Sequence, residues 1–389
     1  MTWHAPQEWL AGTRLARCVA DTVLRGRARR HLAALDQQPA ARAQAHVLAG
    51  LVRRAQHTPF GREHDFGRIR TADDFRRLVP LSRSPANGEP AAPALQATRE
   101  AVWTALAFVL AVRPRARLCR GRILFVGGEL PLTPDTAPAP GEREGRALGE
   151  LPPLLLPYVL GPQADDGDTD EERLRRLARR SAGHMVTCVA GETGRLLRFF
   201  GYLRELSGRD CAAEVWPELA AVLHGGPRAR LAEAAGSAFG APPPLLLETC
   251  LPPEGPIAVE DPRSGLLRLL TEHGVYFEFV PAAEADSPQT ARLGAADVEP
   301  DVPYALALTT PAGLWACLTG VTVCFERREP PLLRLVQAGA AAGALPAPRA
   351  DAAVLPFPYQ PPHPRTAGSP AAHPGTPGHN PSSARAGRG

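Results

Sequence analysis

Few of the residues that could carry chemistry are spaced as in a known catalytic or metal-binding motif. The acidic run at positions 165–172 (DDGDTDEE) offers oxygen ligands of the kind that calcium prefers, but its spacing differs from that of an EF-hand loop. His184 and His224 are isolated, which favours hydrogen-bonded structural roles over metal ligation. No nucleophile elbow, HExxH, Walker loop or GxGxxG pattern is present, so hydrolase, metalloprotease, P-loop and dinucleotide-binding chemistry have no support.

The acidic run is better explained as the start of a helix. Residues 173–180 (RLRRLARR) follow it directly, so acids stand at the amino end of the predicted helix and bases at its carboxyl end. This arrangement complements the helix dipole. We therefore predict a structural helix here and assign no metal ligand.

The overall composition is that of a globular protein without a bias towards nucleic acid. Of the 389 residues, 44% are hydrophobic, which is enough for a packed core. All 44 basic residues are arginine, but 40 acidic residues are interspersed among them and the net charge is only +4. Because no basic stripe with interleaved aromatic residues appears, we predict no nucleic-acid partner.

Cysteine usage and hydropathy indicate a cytoplasmic protein. The seven cysteines are odd in number and never spaced as CxxC, which predicts reduced thiols rather than disulfides or a zinc site. The longest apolar run, Ala105–Val112 with its neighbours, is far shorter than the roughly 20 residues that a membrane span needs, and it predicts a buried helix. No apolar export signal is evident at the N-terminus. We expect no membrane partner.

Hydrophobic periodicity divides the chain into helical, mixed and β-rich parts. Residues 7–56 predict helices with an Arg-rich, solvated face, and residues 120–244 predict a mixed sheet with flanking helices. Residues 248–325 predict an antiparallel β region with an edge that could hold a ligand. Within it, Val275–Val280 and Tyr304–Leu308 alternate as half-buried strands do.

Several stretches keep the order and spacing of one known family. These stretches are His57–Phe66, Asp74–Leu81, Gly121–Gly128, Thr187–Gly191, Trp216–Gly226 and the β region at 248–325. Over roughly residues 45–325 the chain resembles the auxin-responsive acyl-acid amido synthetases and their bacterial relatives, within the adenylate-forming superfamily. The resemblance implies an α/β fold, with an adenylate-forming-like large domain made of mixed sheets and flanking helices.

The resemblance also implies an activity and a set of site residues. Family members use ATP and Mg²⁺ to activate a carboxylic acid as its acyl adenylate and then conjugate it to an amino acid. A small carboxylic acid and an amino acid are therefore the expected partners, and Glu254 takes a catalytic position. The nucleotide-binding positions implied by the resemblance are Gly225, Gly226, Thr249, Cys250, Glu254, Gly255, Gly320 and Val321. The acyl substrate, the amine acceptor and the oligomeric state stay open.

Two of these positions, and two of their neighbours, depart from the family pattern. Cys250 stands where the family has an aromatic residue, and Pro252–Pro253 replace an Ala-Ser pair, so stacking area and two backbone donors are lost. Val321 stands where the family has an aspartate that accepts hydrogen bonds from the ribose. Two such charged hydrogen bonds, at about 1.5–3 kcal/mol each, correspond to a loss of about 10²–10⁴ in affinity.

The phosphate-binding region departs as well. Residues 82–90 (SRSPANGEP) stand in place of the family's Ser/Thr/Gly-rich loop, with no threonine and two prolines that lack an N–H. The chain contains no lysine, which adenylating enzymes usually place against the reacting groups, and arginine is not interchangeable with it. We therefore expect adenylation to be impaired or absent.

These observations predict three segments. Residues 1–81 form an N-terminal helical segment of the large domain, residues 82–330 form the α/β core without its phosphate loop, and residues 331–389 form a tail rich in Pro, Ala and Gly. Such a tail cannot bury enough apolar surface to fold, so we expect it to be disordered and the family's C-terminal cap domain to be missing.

Three functional interpretations remain at this point. The first is an ATP-dependent ligase with impaired activity. The second is a non-catalytic protein of the same fold that binds a small acid or a partner, with an acyl pocket around Gly191–Leu197. The third is a product of frameshifts or a deletion in the coding sequence.

Overall fold

The computed structural model describes residues 13–83, 95–127, 155–161, 169–226, 228–252, 254–287 and 290–336. They form a mixed sheet flanked by helices, as the sequence predicted. The helices are α1 Arg14–Gln37, α2 Ala40–Ala55, α3 Pro59–Glu63, α4 Ala72–Leu78, α5 Leu95–Val112, α6 Asp170–Ala182, α7 Thr193–Ser207, α8 Ala212–Val215 and α9 Arg228–Phe239.

A continuous hydrogen-bonded ladder joins the strands in the order β3-β2-β4-β5-β6-β7-β8-β12-β11-β10-β9, with β1 beside β11. The strands are β1 Ser82–Arg83, β2 Arg122–Phe125, β3 Val159–Leu160, β4 Val186–Glu192, β5 Ala221–Gly225, β6 Leu245–Cys250, β7 Ala258–Asp261, β8 Leu266–Leu269, β9 Tyr276–Pro281, β10 Pro303–Thr309, β11 Cys317–Arg327 and β12 Leu332–Val336. Strands β3 to β6 pair in parallel, which we call the parallel half. Along the ladder from β6 to β9 successive strands pair antiparallel, and we call β7–β12 the antiparallel half. The short β1 pairs with β11 in parallel.

Helices cover both faces of the parallel half. Successive side chains on its strands point to opposite faces, so each strand contributes to the core on either side. Ile123, Cys188 and Leu223 pack with α1 and α5 on one face. Leu124 and Val189 pack with α6, α7 and α9 on the other. The apolar run from residue 105 lies in α5 with residues 105–110 buried, so the predicted buried helix is confirmed.

The antiparallel half contains the two strands predicted from alternation, as β9 and β10. Phe277 and Phe279 are fully buried in a core shared with Leu306 on β10. Tyr276 and Glu278, between and beside them, point to the other face, towards the N-terminal helices. The period of two that predicted these strands therefore separates two different packing surfaces.

Helix α6 begins where the acidic run meets the arginines. Thr169 accepts from the Glu172 amide at 3.3 Å, and the Glu172 carboxylate accepts from the Thr169 amide at 2.8 Å, which forms a capping box. Asp170, Glu171 and Glu172 lie in the first turn, with Arg179 and Arg180 in the last. The structural interpretation of this run is confirmed for the residues from 169 onward.

The predicted end of the core at residue 330 is too early. Strand β12, Leu332–Val336, lies between β8 and β11 and contributes the buried Leu332 and Leu333. Five residues give little alternation to detect beside an Ala/Pro/Gly-rich stretch, so pairing with distant strands decides this element. The rest of the predicted tail lies outside the described residues.

Among the helices that the structure describes, none combines the length and the apolar character needed to span a membrane.

Gln44 fastens α2 to the edge strand of the antiparallel half. This side chain is 5% exposed, and its Nε2 donates to the carbonyls of Thr271 (2.7 Å) and Val275 (3.0 Å). Its Oε1 accepts from the Phe277 amide at 2.7 Å. Gln44 thus supplies hydrogen-bond partners to three backbone groups at an edge where no neighbouring strand supplies them.

Replacing Gln44 with alanine should lower the free energy of unfolding by about 2–4 kcal/mol, because buried backbone groups lose their partners. Urea denaturation measures this. Gln37→Ala on the exposed surface of α1 is the control and should change stability by less than about 0.5 kcal/mol. Equal effects of the two substitutions would contradict the assigned role.

Two histidines, the half-buried His31 and the buried His273, share one hydroxyl between α1, α5 and the β8–β9 turn. Thr104 Oγ1 donates to the Glu100 carbonyl at 2.9 Å and lies 2.8 Å from His31 Nε2 and 3.0 Å from His273 Nε2. The Thr104 hydroxyl thereby connects both imidazoles to α5. Burial lowers the pKa of His273 to about 3, and the nearby His31 lowers it further.

Stability should therefore fall on acidification. Between about pH 6.5 and 3 the unfolded chain binds a proton on His273 that the folded protein excludes, which costs about 1.4 kcal/mol per pH unit. The expected loss from pH 7 to 5 is about 2 kcal/mol, measured by urea denaturation at several pH values. His273→Gln should remove this part of the dependence, whereas His46→Gln at an exposed position of α2 should keep it. Parallel pH profiles for all three proteins would refute the assignment.

Candidate functional site

The carboxyl ends of three neighbouring parallel strands bring several predicted site residues together. Glu192 at the end of β4 pairs with Gly225 on β5, and Gly225 pairs with Thr249 on β6. Gly226 and Cys250 each follow by one residue on their strands. Ligands of open α/β sheets bind outside the carboxyl ends of the strands, so this edge is the expected position for one.

Two threonine hydroxyls fix the backbone at this edge. Thr193 Oγ1 donates to the Gly225 carbonyl at 2.8 Å, and Thr249 Oγ1 donates to the His224 carbonyl at 3.2 Å. Gly226 has φ +100°, a conformation that side chains rarely adopt, which explains a glycine there. The chain thus leaves β5 along a defined path, with His224 fully buried beneath it.

Helix α7 starts at the same edge, but its amino end is already occupied. The Glu192 carboxylate accepts from the amides of Gly194 (2.7 Å) and Arg195 (2.9 Å). These are the donors that a phosphate would use at a helix N-terminus. Sequence analysis missed Glu192 and Thr193, because the predicted strand ended at Gly191 and glutamate is not among the usual capping residues.

The predicted acyl pocket around Gly191–Leu197 is tightly packed at its first residue. A Cβ on Gly191 would lie 3.2 Å from Val126 Cβ and 3.4 Å from Leu196 Cδ2. Gly191 therefore serves close packing between β2, β4 and α7.

Glu254 and Gly255 lie in the turn that joins β6 to β7. The Gly255 amide donates to the Pro252 carbonyl at 3.1 Å, and Gly255 is buried with φ +153°. A Cβ there would lie 3.6 Å from Thr310 Cγ2, so the turn sits against the end of β10. Glu254 is half-buried and has no ion pair or hydrogen bond to any described side chain, which leaves its carboxylate available to a ligand.

Gly320 and Val321 lie elsewhere along the antiparallel half. They belong to a bulge of β11, where Leu318 pairs with Ala307 but Thr322 pairs with Ala305. Gly255 lies against Leu308, so the bulge is two to three residues, or roughly 7–10 Å, further along β10. The predicted site residues therefore divide into one group at the ends of β5 and β6 and a second on β11.

Apolar packing occupies two positions where the family resemblance implied nucleotide contacts. Both Cys250 and Val321 are partly buried against the hydrophobic core of the antiparallel half. Burial, with a smaller contribution from Glu248, raises the pKa of Cys250 to about 12, so its thiol is neutral. Neither side chain offers a charge or a stacking surface to a nucleotide.

Comparison with family models finds two matches. The model of the GH3 family N-terminal domain matches residues 31–83, and the model of the GH3 family central domain matches residues 268–337. These matches support the predicted resemblance to the GH3 acyl-acid amido synthetases. No curated protein matches the chain.

Solved structures show the same fold at low sequence identity. A structure described as GH3.15 acyl acid amido synthetase is 14% identical, with a TM-score of 0.56, covering 78% of this chain and 69% of that one. 2-Hydroxyisobutyryl-CoA ligase in complex with 2-HIB-AMP and CoA is 14% identical, with a TM-score of 0.51, covering 77% and 75%. The chain therefore has the predicted adenylate-forming-enzyme fold.

The residues at the predicted positions fit ATP only in part. The end of β5 exposes glycine backbone and the Glu254 carboxylate has no described partner, whereas the Val321 side chain has no group that could bind a ribose hydroxyl. Among the described residues no group of three or more His, Cys, Asp or Glu side chains could hold a metal ion. Of the segment in place of the phosphate loop, Ser82 and Arg83 form β1, and residues 84–90 lie outside the described part.

Replacing Thr193 with valine should detach the start of α7 from the end of β5. The Gly225 carbonyl loses its donor at a buried position, so we expect the free energy of unfolding to fall by about 1–2 kcal/mol. Thr22→Val on α1 is a matched control, since its hydroxyl donates to Cys18 on an exposed surface. Urea denaturation compares the two, and a loss in the control as large as in Thr193→Val would contradict the argument.

Proposed function

We propose that this protein belongs to the GH3 family and is an acyl-acid amido synthetase-like protein with impaired adenylation. Its substrates would be a small carboxylic acid, ATP with Mg²⁺, and an amino acid. In such a reaction the acid's carboxylate attacks the α-phosphate of ATP and releases pyrophosphate, and the amino group then displaces AMP to form an amide. The two family-model matches and the fold shared with adenylate-forming enzymes support the reaction class.

The single observation that carries the impairment is the side chain at position 321. The β11 bulge and the left-handed Gly320 (φ +75°) are present, but Val321 packs on the hydrophobic core. A family member would present a carboxylate from this position to the ribose. We assign the weakest step to nucleotide binding, because two charged hydrogen bonds are missing there.

Glu254 is the proposed catalytic residue. It is half-buried beside the buried Gly255 and free of described ionic partners, so its carboxylate can contact the nucleotide from the β6–β7 turn. The backbone of Gly225 and Gly226, which Thr193 holds in place, would line the nucleotide from β5. Thr249 supports the same edge through its bond to the His224 carbonyl.

A second candidate is a non-catalytic protein that binds a small acid or a partner through the same fold. The packing of both Cys250 and Val321 onto the core favours it, since two nucleotide-facing positions are apolar together. Under this alternative the protein binds no ATP at millimolar concentration.

Introducing the missing carboxylate tests the proposal directly. Val321→Asp should increase ATP affinity by about 10²-fold or more, because an aspartate can accept from both ribose hydroxyls. Calorimetric titration of ATP with Mg²⁺ measures this, and carboxylate-dependent pyrophosphate exchange reports the chemistry. Val321→Leu is the apolar control and should leave ATP affinity unchanged.

Glu254→Ala in the Val321→Asp background should abolish pyrophosphate exchange, whereas Glu284→Ala at an exposed position should not. No ATP binding by a folded Val321→Asp protein would refute the nucleotide site and favour the non-catalytic alternative. Unchanged exchange in Glu254→Ala would remove Glu254 from the catalytic role.

A further inference from the structure

A cleft of about 780 Å³ opens at the amino-terminal edge of the parallel half. One wall is the segment from Arg113 to Arg117, which follows α5. The opposite wall is apolar and consists of Pro217, Leu219 and the prolines at 242–244. The volume is that of a site for a nucleotide-sized or drug-sized molecule.

This cleft is separate from the proposed nucleotide site. Its residues Ala220 and Pro244 directly precede β5 and β6, whereas Gly225–Gly226 and Thr249–Cys250 stand at the far ends of the same strands. A strand of five residues spans roughly 17 Å, so the two sites lie at opposite edges of the sheet. The proposed function leaves this cleft without a role.

The basic wall is held in place before any ligand arrives. The Ala116 amide donates to the Arg113 carbonyl at 2.9 Å and closes a turn, and Arg25 Nη2 donates to the Ala116 carbonyl at 2.7 Å. The floor is equally fixed, since Trp216 is fully buried and its Nε1 donates to the Ser181 carbonyl at 3.2 Å. Binding of a ligand would therefore cost little conformational entropy of the backbone at this site.

Two positive charges of the wall, those of Arg115 and Arg117, are not neutralised within the described part of the chain. Arg115 and Arg117 are exposed, and neither forms a salt bridge with a described residue. The acid that lines the cleft, Glu218, is bound to Arg120 at 2.8 Å. The buried Asp21 carboxylate, which acts on Arg117 only at a distance, accepts from the Cys119 amide at 3.0 Å.

We propose that this cleft binds a phosphorylated small molecule with an apolar or aromatic body. The guanidinium groups of Arg115 and Arg117 bind the phosphate, because their planar donor pairs match phosphate oxygens. The apolar body lies on the prolines and Leu219 of the opposite wall. Arg113, whose Nη2 reaches the Pro243 carbonyl at 3.4 Å, connects the two walls.

Calorimetric titration of the full chain tests this with 1-naphthyl phosphate as the probe. We expect 1-naphthyl phosphate to bind more tightly than inorganic phosphate, and 1-naphthol, which lacks the charge, not to bind. The affinity should decrease as NaCl is raised, because the contact is ionic. Arg115→Gln with Arg117→Gln should weaken 1-naphthyl phosphate binding by about tenfold or more.

The matched control removes two charges elsewhere. Arg42→Gln with Arg62→Gln acts on exposed arginines of α2 and α3, which contribute no residue to the cleft, and should leave binding unchanged. Equal weakening in both double variants would mean a general charge effect and would overturn the site. Absence of binding to the folded parent at 10 mM probe would overturn it as well. Neither result bears on ATP binding at the far edge, which Val321→Asp tests separately.

Discussion

The carboxylate of Glu278 is 1% exposed, and so deep a charge requires charged partners at fixed positions. Arg292 supplies two guanidinium contacts, one of them at 3.2 Å, and Arg76 Nε lies 3.4 Å away on α4. Arg292 also donates to the carbonyls of Val79 (2.6 Å) and Arg76 (3.1 Å). One buried acid on β9 thereby fixes the end of α4, and with it the start of β1, on the antiparallel half.

This network joins the two segments that the family models match. Arg76 and Val79 lie in the N-terminal match at 31–83, and Glu278 and Arg292 lie in the central match at 268–337. Gln44 joins the same two segments through the backbone of β9. A buried polar network tolerates few exchanges, because each member leaves another unsatisfied when it changes. The parallel half is held by interchangeable apolar side chains, which can vary while the fold stays the same.

The elements that could be predicted from the sequence are those that a few consecutive residues determine. Alternation gave β9 and β10, and the charge pattern gave α6, because a few consecutive residues determine both. The Gln44 contacts join residues more than 200 positions apart, and strand β12 forms by pairing in the interior of the sheet. Neither can be detected in a short stretch of sequence. At the site, the parallel order of β5 and β6 places Gly225 beside Thr249. The position of Val321 could not be predicted, because it depends on where the β10–β11 register shifts.

At that register shift, the backbone conformation does not depend on the side chain at position 321. Thr319 Oγ1 donates to the Leu306 carbonyl at 3.1 Å and accepts from the Val321 amide at 3.1 Å, so the bulge is stabilised by its own hydrogen bonds. The side chain at 321 contributes nothing to that geometry and instead packs on the core. An aspartate at this position would place a carboxylate beside the hydrophobic core, which costs free energy. A valine has no such cost. Different interactions therefore stabilise the bulge backbone and the side chain at 321, so the proposed loss of a ribose-binding carboxylate does not require a change of fold.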